Sequence, residues 1–410
     1  MDIDRLYNLF RASRGVTTDS RRIQSGSIFF ALRGDNFDGN SYANDAIAMG
    51  ASYAVVDSLE VCGEGIIYVD SVLDTLQQLA REHRRRLPIE IIAITGSNGK
   101  TTTKELLSEV LSCKYRLQAT VGNLNNHIGV PLTLLSFSEQ TEIGVVEMGA
   151  SSCGEIAALC AIAEPNYGVI TNIGNAHLDG FGGVEGVRRG KGELFDYLER
   201  CGGEIFVAEE NGEVIGICRG RDLLKISRYS YSVAEGVESN LEGSYNRYNI
   251  ATAMAIGDRF GVDRGCALEA IAQYQPTNNR SQNIETVYNR VIVDCYNANP
   301  SSMEVALANF ATFTHEAKVA ILGDMYELGE WSEGEHLRIL QLAIGCGAER
   351  IILVGKAFAA AAAAVCGGNI ECYRDRVELA ERLAKEQIER KKILLKGSRG
   401  VGLEQIIKYL

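Results

Sequence analysis

The chain has no Cys-x-x-Cys pair, no Pro-rich or Ser-rich tract, no surplus of basic charge and no apolar run near the roughly 20 residues of a membrane span. Each absence excludes something. Eleven cysteines, among them Cys62, Cys113, Cys153, Cys160, Cys366 and Cys372, lack metal-type spacing, so neither a zinc site nor a disulfide framework is expected. They read instead as buried thiols in a reducing compartment. Asp2, Asp4 and Arg5 stand where a signal peptide would carry a basic patch before an apolar stretch, so a cytoplasmic location without membrane insertion is expected. A net charge of -12 opposes binding to a nucleic-acid backbone, which leaves small molecules as partners, with a monomer as the default state. One basic run, Arg84-Arg85-Arg86, reads as a solvated helix face beside a linker or as a local phosphate patch.

What is present is an ordinary globular composition, 46% hydrophobic and 23% charged, over 410 residues. At roughly 150 residues per domain, that length suggests about three domains. Residues 1–87 alternate short strand-like runs (27–32, 53–56, 65–69) with helical patterns such as 42–50, as in a small α/β domain. Pro88 then opens the apolar run 89–94, and strand patterns at 143–147, 167–171 and 204–208 follow with helices between them. That alternation predicts a doubly wound parallel sheet over 88–277. A second series at 291–295, 318–322, 350–354 and 393–395 predicts a Rossmann-like α/β domain over 278–410. The alanine-rich stretch 357–364 reads as a helix.

The segment Thr95-Gly96-Ser97-Asn98-Gly99-Lys100-Thr101-Thr102-Thr103 stands directly after the first apolar strand of this sheet and before a helical pattern at 104–112. Strand, glycine loop and helix are the context of a phosphate loop. Gly96 and Gly99 let backbone N–H groups converge on phosphate oxygens, and a helix N-terminus adds about half a positive charge there. In this reading Ser97, Asn98 and Thr102 complete an ATP cradle, Lys100 bridges the terminal phosphates and the Thr101 hydroxyl holds Mg2+. The spacing is shorter than Gly-x-x-x-x-Gly-Lys-Thr, because position 94 is Ile. A plain Gly-Asn turn before a capped helix would need neither the lysine nor the run Thr101 to Thr103.

Further strings follow in order: Gly122-Asn123-Leu124-Asn125-Asn126-His127-Ile128-Gly129-Val130-Pro131, Glu147-Met148-Gly149-Ala150, Thr171-Asn172-Ile173-Gly174-Asn175-Ala176-His177-Leu178-Asp179, Asp294-Cys295-Tyr296-Asn297-Ala298-Asn299-Pro300 and Lys396-Gly397-Ser398-Arg399. Together with the loop they resemble the Mur ligase family, across all three expected domains. The Tyr-Asn-Ala-Asn-Pro string is similar to that of the type joining D-alanyl-D-alanine to a UDP-linked muramoyl tripeptide. The resemblance implies that ATP phosphorylates the terminal carboxylate of the tripeptide and that the dipeptide amine attacks the acyl phosphate. ADP, phosphate and a pentapeptide precursor of peptidoglycan result. A carboxylate is a poor electrophile, and phosphorylation both neutralises it and installs a leaving group.

The same resemblance implies roles for individual residues. Glu147, ending a buried strand, is a magnesium ligand, and His177 helps to hold a second Mg2+. Lys191 is carbamylated, turning a cation into an anionic oxygen donor, or else remains an unmodified lysine paired to phosphate. Arg280, at the second domain junction, contacts the ATP phosphates, unless it makes a plain interdomain salt bridge. Lys100, Lys191, His177 and Arg280 form the catalytic set. Asn246 and Asn249 read the purine edge, with Tyr245 standing where relatives commonly carry His, and Asp294 meets the ribose. In the first domain Ser20 and Arg21 hold pyrophosphate, unless Asp19-Ser20 is a turn or cap. Asn123, Asn125 and Asn126 approach the muramoyl-peptide. Tyr296, Asn297 and Asn299 lie near the incoming dipeptide, whose carboxylate Lys396, Ser398 and Arg399 bind, and Ser301 is a candidate cap for the next helix. Asp324, Glu327, Glu330 and His336 fit the type or form an acidic solvated loop. The first domain would then bind the UDP-muramoyl substrate, the second ATP and the third the dipeptide.

Two other readings compete. A ligase of the folylpolyglutamate synthase type would share the loop and the lysine, but would not need the first domain or the Tyr-Asn-Ala-Asn-Pro string. A nonenzymatic P-loop ATP switch would release ADP without requiring two substrates.

Overall fold

Successive residues of a strand face opposite sides of its sheet, and the central strands are apolar on both. In Glu90–Thr95, Ile91 and Ala93 join one buried cluster and Ile92 and Ile94 another. Ile205 and Val207 against Phe206 repeat the division in Glu204–Ala208. Strands of that kind need helices on both faces. Gly129–Ser136, Glu155–Ala163 and Val184–Cys201 cover one face, and Lys100–Ser112, Asn246–Arg259 and Arg264–Gln273 the other. The result, in a computed structural model that describes residues 2–222, 225–365 and 369–410, is a six-stranded parallel sheet. Its order is Lys225–Tyr229, Glu204–Ala208, Tyr167–Ile170, Glu90–Thr95, Ile143–Glu147, Leu117–Ala119. Chain direction across the sheet reverses at Glu90–Thr95, and ligands of doubly wound sheets bind outside the carboxyl ends of the strands at such a reversal.

Before this sheet, Val16–Thr17, Ile28–Phe30, Tyr53–Val56 and Ile66–Tyr68 form a four-stranded parallel sheet. After it comes a six-stranded sheet in the order Gln282–Glu285, Arg290–Asp294, Lys392–Lys396, Lys318–Gly323, Arg350–Val354, Ile370–Tyr373, with Gln282–Glu285 antiparallel at one edge. One buried cluster runs through all three units, from Phe30 through Ala93 to Leu394.

Several expectations need correction. The helix after the phosphate loop begins at Lys100, so the lysine and threonines occupy its first turn. Arg84-Arg85-Arg86 is more than a solvated face: Arg84 donates to Asn166 Oδ1 at 2.9 Å and to the carbonyls of Ala163 and Glu164, and Arg85 pairs with Glu164. The run staples the first unit to the second. Cys160, Cys295 and Cys346 are buried, whereas Cys62, Cys153, Cys201 and Cys372 are exposed. Cys366 lies outside the described residues. The alanine-rich helix spans Lys356–Ala363.

Candidate active site

Two glycines shape the phosphate loop. Gly96 has φ +141°, and a Cβ there would fall 2.0 Å from Thr171 Oγ1; Gly99 has φ +79°, and its Cβ would fall 2.5 Å from Asn249 Oδ1. The segment directly after the strand Tyr167–Ile170 holds the turn: Asn172 accepts from Asn98 N through Oδ1 and donates to Asn98 O through Nδ2, both at 3.0 Å, and Thr171 Oγ1 donates to Asn98 O at 2.6 Å. The N–H groups of Lys100, Thr101 and Thr102 precede the first helical bond, from Thr103 N to Gly99 O at 2.8 Å, and so lack intrahelical partners, which suits an anion at this end. Lys100 Nζ donates back to Gly96 O at 2.7 Å and Ser97 O at 3.3 Å. Burial pushes its amine down to about 8, with Glu147 opposing and Arg280 adding to the shift.

A cleft of about 940 Å³ opens in front of the loop at the carboxyl edge of the central sheet. Ser97, Asn98, Gly99, Lys100, Thr101, Thr102, Asn123, Asn125, Asn126, Glu147, His177, Asn246, Asn249, Arg280, Asp294, Tyr296, Asn297, Asn299, Lys396 and Arg399 all line it. The third unit closes one side. Asn299 Nδ2 donates to Asn98 Oδ1 at 2.8 Å, Asn175 N donates to Ser301 Oγ at 2.8 Å, and His177 contacts the Glu327 carboxylate.

Buried Glu147 accepts from Thr101 Oγ1 at 2.9 Å and from Asn125 Nδ2 at 2.8 Å. A hydroxyl and a carboxylate oxygen side by side fit Mg2+, which is held by one or two carboxylates plus phosphate oxygens. Among the described residues no group of three or more His, Cys, Asp or Glu converges as a metal cage. Arg280 stacks 3.7 Å over the Tyr296 ring, with Arg399 5.5 Å from the same centroid. Its Nε is buried without a hydrogen-bond partner among the described residues. A desolvated guanidinium donor with nothing to donate to fits an incoming phosphate.

Mur ligase domain models match successive stretches: the catalytic domain 13–93, the middle domain 94–221 and the glutamate ligase domain 279–399. The UDP-N-acetylmuramoyl-tripeptide--D-alanyl-D-alanine ligase of Bacillus subtilis (strain 168) is 33% identical over 423 residues, covering 97% of this chain and 93% of its own. The chain belongs to the Mur ligase family. Its fold is similar to a crystal structure of MurF from Acinetobacter baumannii, with TM-score 0.85, 28% identity and coverage of 98% and 97%. MurF ligase from Thermotoga maritima in complex with ADP gives TM-score 0.83 and 26% identity, covering 97% of each chain.

In this Mur ligase several residues sit differently from expectation. Asn249 Nδ2 donates to Asn246 Oδ1 at 2.9 Å and Asn249 Oδ1 accepts from Thr103 Oγ1 at 3.0 Å, so Asn249 ties its helix to the loop helix while both residues line the cleft. Asp294 and Lys396 pair with each other at 2.5 Å. Lys191 lies behind the cleft wall, 1% exposed, donating to Ala150 O at 3.0 Å. Burial and then the charge of Lys100 push its amine down to about 7. Ser398 does not face the cleft: its hydroxyl accepts from Tyr326 N at 3.0 Å and reaches Ala298 O at 3.4 Å. Ser20 and Arg21 lie outside the cleft too; Asp19 caps their turn and takes the Arg21 guanidinium at 2.9 and 3.0 Å. The cap of Pro300–Ala311 is Asn299, in a capping box with Ser302, and not Ser301. Asp324 and His336 are buried, Asp324 accepting from Ala357 N and Phe358 N and His336 from Met325 N, so neither belongs to a solvated loop.

Spacing gave no sign of Tyr231 and Tyr248, whose rings pack 4.3 Å apart and line the cleft beside Glu210 and Asn211. The strand preceding Tyr231, Lys225–Tyr229, alternates too weakly to be read.

Proposed function

We propose that this enzyme ligates D-alanyl-D-alanine to UDP-N-acetylmuramoyl-tripeptide, converting ATP to ADP and phosphate. The observation that carries the reading is one cleft, shared by the second and third units, that gathers the half-buried Lys100, the Thr101 and Glu147 oxygens and the unpartnered Nε of Arg280. A match to the first unit, over 13–93, favours this reading over the folylpolyglutamate type.

A carboxylate oxygen of the tripeptide attacks the γ-phosphorus, and the bond to the ADP oxygen breaks. The dipeptide amine then adds to the acyl carbon, phosphate leaves, and the nitrogen gives up a proton. Lys100 and the loop N–H groups hold the phosphates while Arg280 meets charge developing on the transferred group. Thr101 and Glu147 hold Mg2+, which when bound neutralises phosphate charge, and His177 serves a second ion. Closure through Asn299 and Asn98 keeps water from the acyl phosphate.

Lys191, with its amine near neutrality, takes up CO2: a nitrogen–carbon bond forms, a proton leaves and a carbamate results. Support comes from its burial against Ala150, one of the cleft-lining residues. Asn246, Asn249 and Asp294 serve the nucleoside, and Asp294 must first exchange Lys396 for the ribose. Residues 1–87 take the UDP-muramoyl end, with Ser20 and Arg21 on pyrophosphate once Arg21 leaves Asp19, and Asn123, Asn125 and Asn126 meet the peptide. Within 278–410, Tyr296, Asn297, Lys396 and Arg399 receive the dipeptide. The enzyme works as a cytoplasmic monomer. ADP release measured across muramoyl precursors and dipeptides tests the proposal: turnover requires both substrates, and ATP hydrolysis independent of them would defeat it.

A further inference from the structure

We propose that Lys104 is a positioning residue for the Glu147 carboxylate, acting through Thr120 from the back of the phosphate-loop helix; the inference rests on the reading of Thr101 and Glu147 as magnesium ligands. Lysines are almost never fully buried unless paired, yet Lys104 is 4% exposed. Its nearest carboxylate, Glu105, lies 3.8 Å away, and its Nζ donates to the Thr120 carbonyl at 2.7 Å. An apolar side chain of similar length would leave the buried Thr120 carbonyl without this donor. The ammonium is therefore explained by what it holds.

Thr120 follows Leu117–Ala119, the edge strand, which pairs with Ile143–Glu147 only as far as Ala119 opposite Val145. Glu147 thus lies beyond the end of the ladder on that side. Thr120 substitutes for the missing strand: its Oγ1 accepts from Glu147 N at 3.0 Å, and its N–H donates to Val145 O at 2.9 Å. Lys104 fixes the remaining polar atom, the carbonyl. The circuit closes because Thr101, three residues before Lys104 on the same helix, donates to Glu147 Oε2 at 2.9 Å. Neither Lys104 nor Thr120 lines the active cleft; both line a separate cavity behind the helix. They act on Glu147 without touching substrate, as outer partners of metal ligands do.

The experiment measures ADP binding to the full-length protein by calorimetry, with and without Mg2+, alongside melting temperature. In the unaltered enzyme Mg2+ strengthens binding. In Lys104→Met that strengthening falls by about 10- to 100-fold, while metal-free ADP affinity holds and the protein, though it melts somewhat lower for want of a donor to Thr120 O, still unfolds cooperatively. Lys104→Arg, which keeps a donor, retains most of it. Thr120→Val, with its isosteric side chain, falls in the same direction and decides the matter should Lys104→Met not fold; the double variant is no worse than the weaker-binding single one, as members of one circuit require. Unchanged magnesium dependence in both single variants, equal impairment of the Met and Arg variants, or additive losses would overturn the proposal. If the unaltered enzyme binds ADP with no response to Mg2+, the magnesium reading itself falls, and this inference with it.

Discussion

Replacing Gly99 by alanine isolates the geometry of the phosphate loop. At φ +79° an L-residue costs about 1–2 kcal/mol. The new Cβ would also meet Asn249 Oδ1 at 2.5 Å, so Asn249 must move and release the bond it accepts from Thr103 at 3.0 Å, worth about 0.5–1.5 kcal/mol net. Together these come to about 1.5–3.5 kcal/mol, or roughly a 10- to 300-fold loss of nucleotide affinity where the loop absorbs the change. Gly122→Ala is the matched control, because Gly122 has φ +58° but nothing within 4 Å of an added Cβ. It carries the backbone penalty alone, away from the phosphates. Calorimetric ADP affinity and chemical denaturation of both variants separate the effects: Gly99→Ala loses nucleotide affinity, and Gly122→Ala loses only stability. Full ADP affinity in Gly99→Ala, or an equal affinity loss in both, would refute the account of the loop.

Arg280→Ala lowers kcat about 100-fold or more, since a donor aimed at developing charge is lost, and Arg280→Lys recovers only part because it cannot stack on Tyr296 as a planar fork; steady-state kinetics with both substrates read this directly. Lys191→Ala loses ligation activity that small carboxylic acids partly restore; no restoration, together with an unmodified Lys191 in a well-resolved crystal structure of the parent enzyme, counts against the carbamate. With the amine depressed to about 7, its neutral fraction rises from roughly one-tenth at pH 6 to nine-tenths at pH 8, so at constant dissolved CO2 reactivation of decarbamylated enzyme speeds up over that range. A flat profile would contradict the assignment. Asn299→Ala removes both a helix cap and the bridge to Asn98, and denaturation should report a loss of about 1–2 kcal/mol.

The central strands were legible because each is buried on both faces and so reads as an uninterrupted apolar run, Ile91 to Ile94 being the clearest. Edge strands were not: Leu117–Ala119 and Lys225–Tyr229 are only half-buried, and Gln282–Glu285 alternates over four residues. The phosphate loop was legible from its contiguous residues, and the cleft gathers most of the residues picked from separate motifs. Pairing among them was invisible, because nothing in a string announces that Asp294 will neutralise Lys396, or that Asn249 will spend its amide on Asn246. Ser398 was misplaced for a related reason: it directly precedes Arg399, which does face the cleft, but its hydroxyl points back to Tyr326 N. The Lys104 circuit joins three segments far apart in sequence and leaves no local signature.

The central claim is that the cleft activates a carboxylate by phosphorylating it. Tripeptide precursor carrying 18O in its terminal carboxylate should, on complete turnover with D-alanyl-D-alanine and ATP, deliver one labelled oxygen to the released inorganic phosphate. Phosphate free of label, with pentapeptide formed, would contradict it.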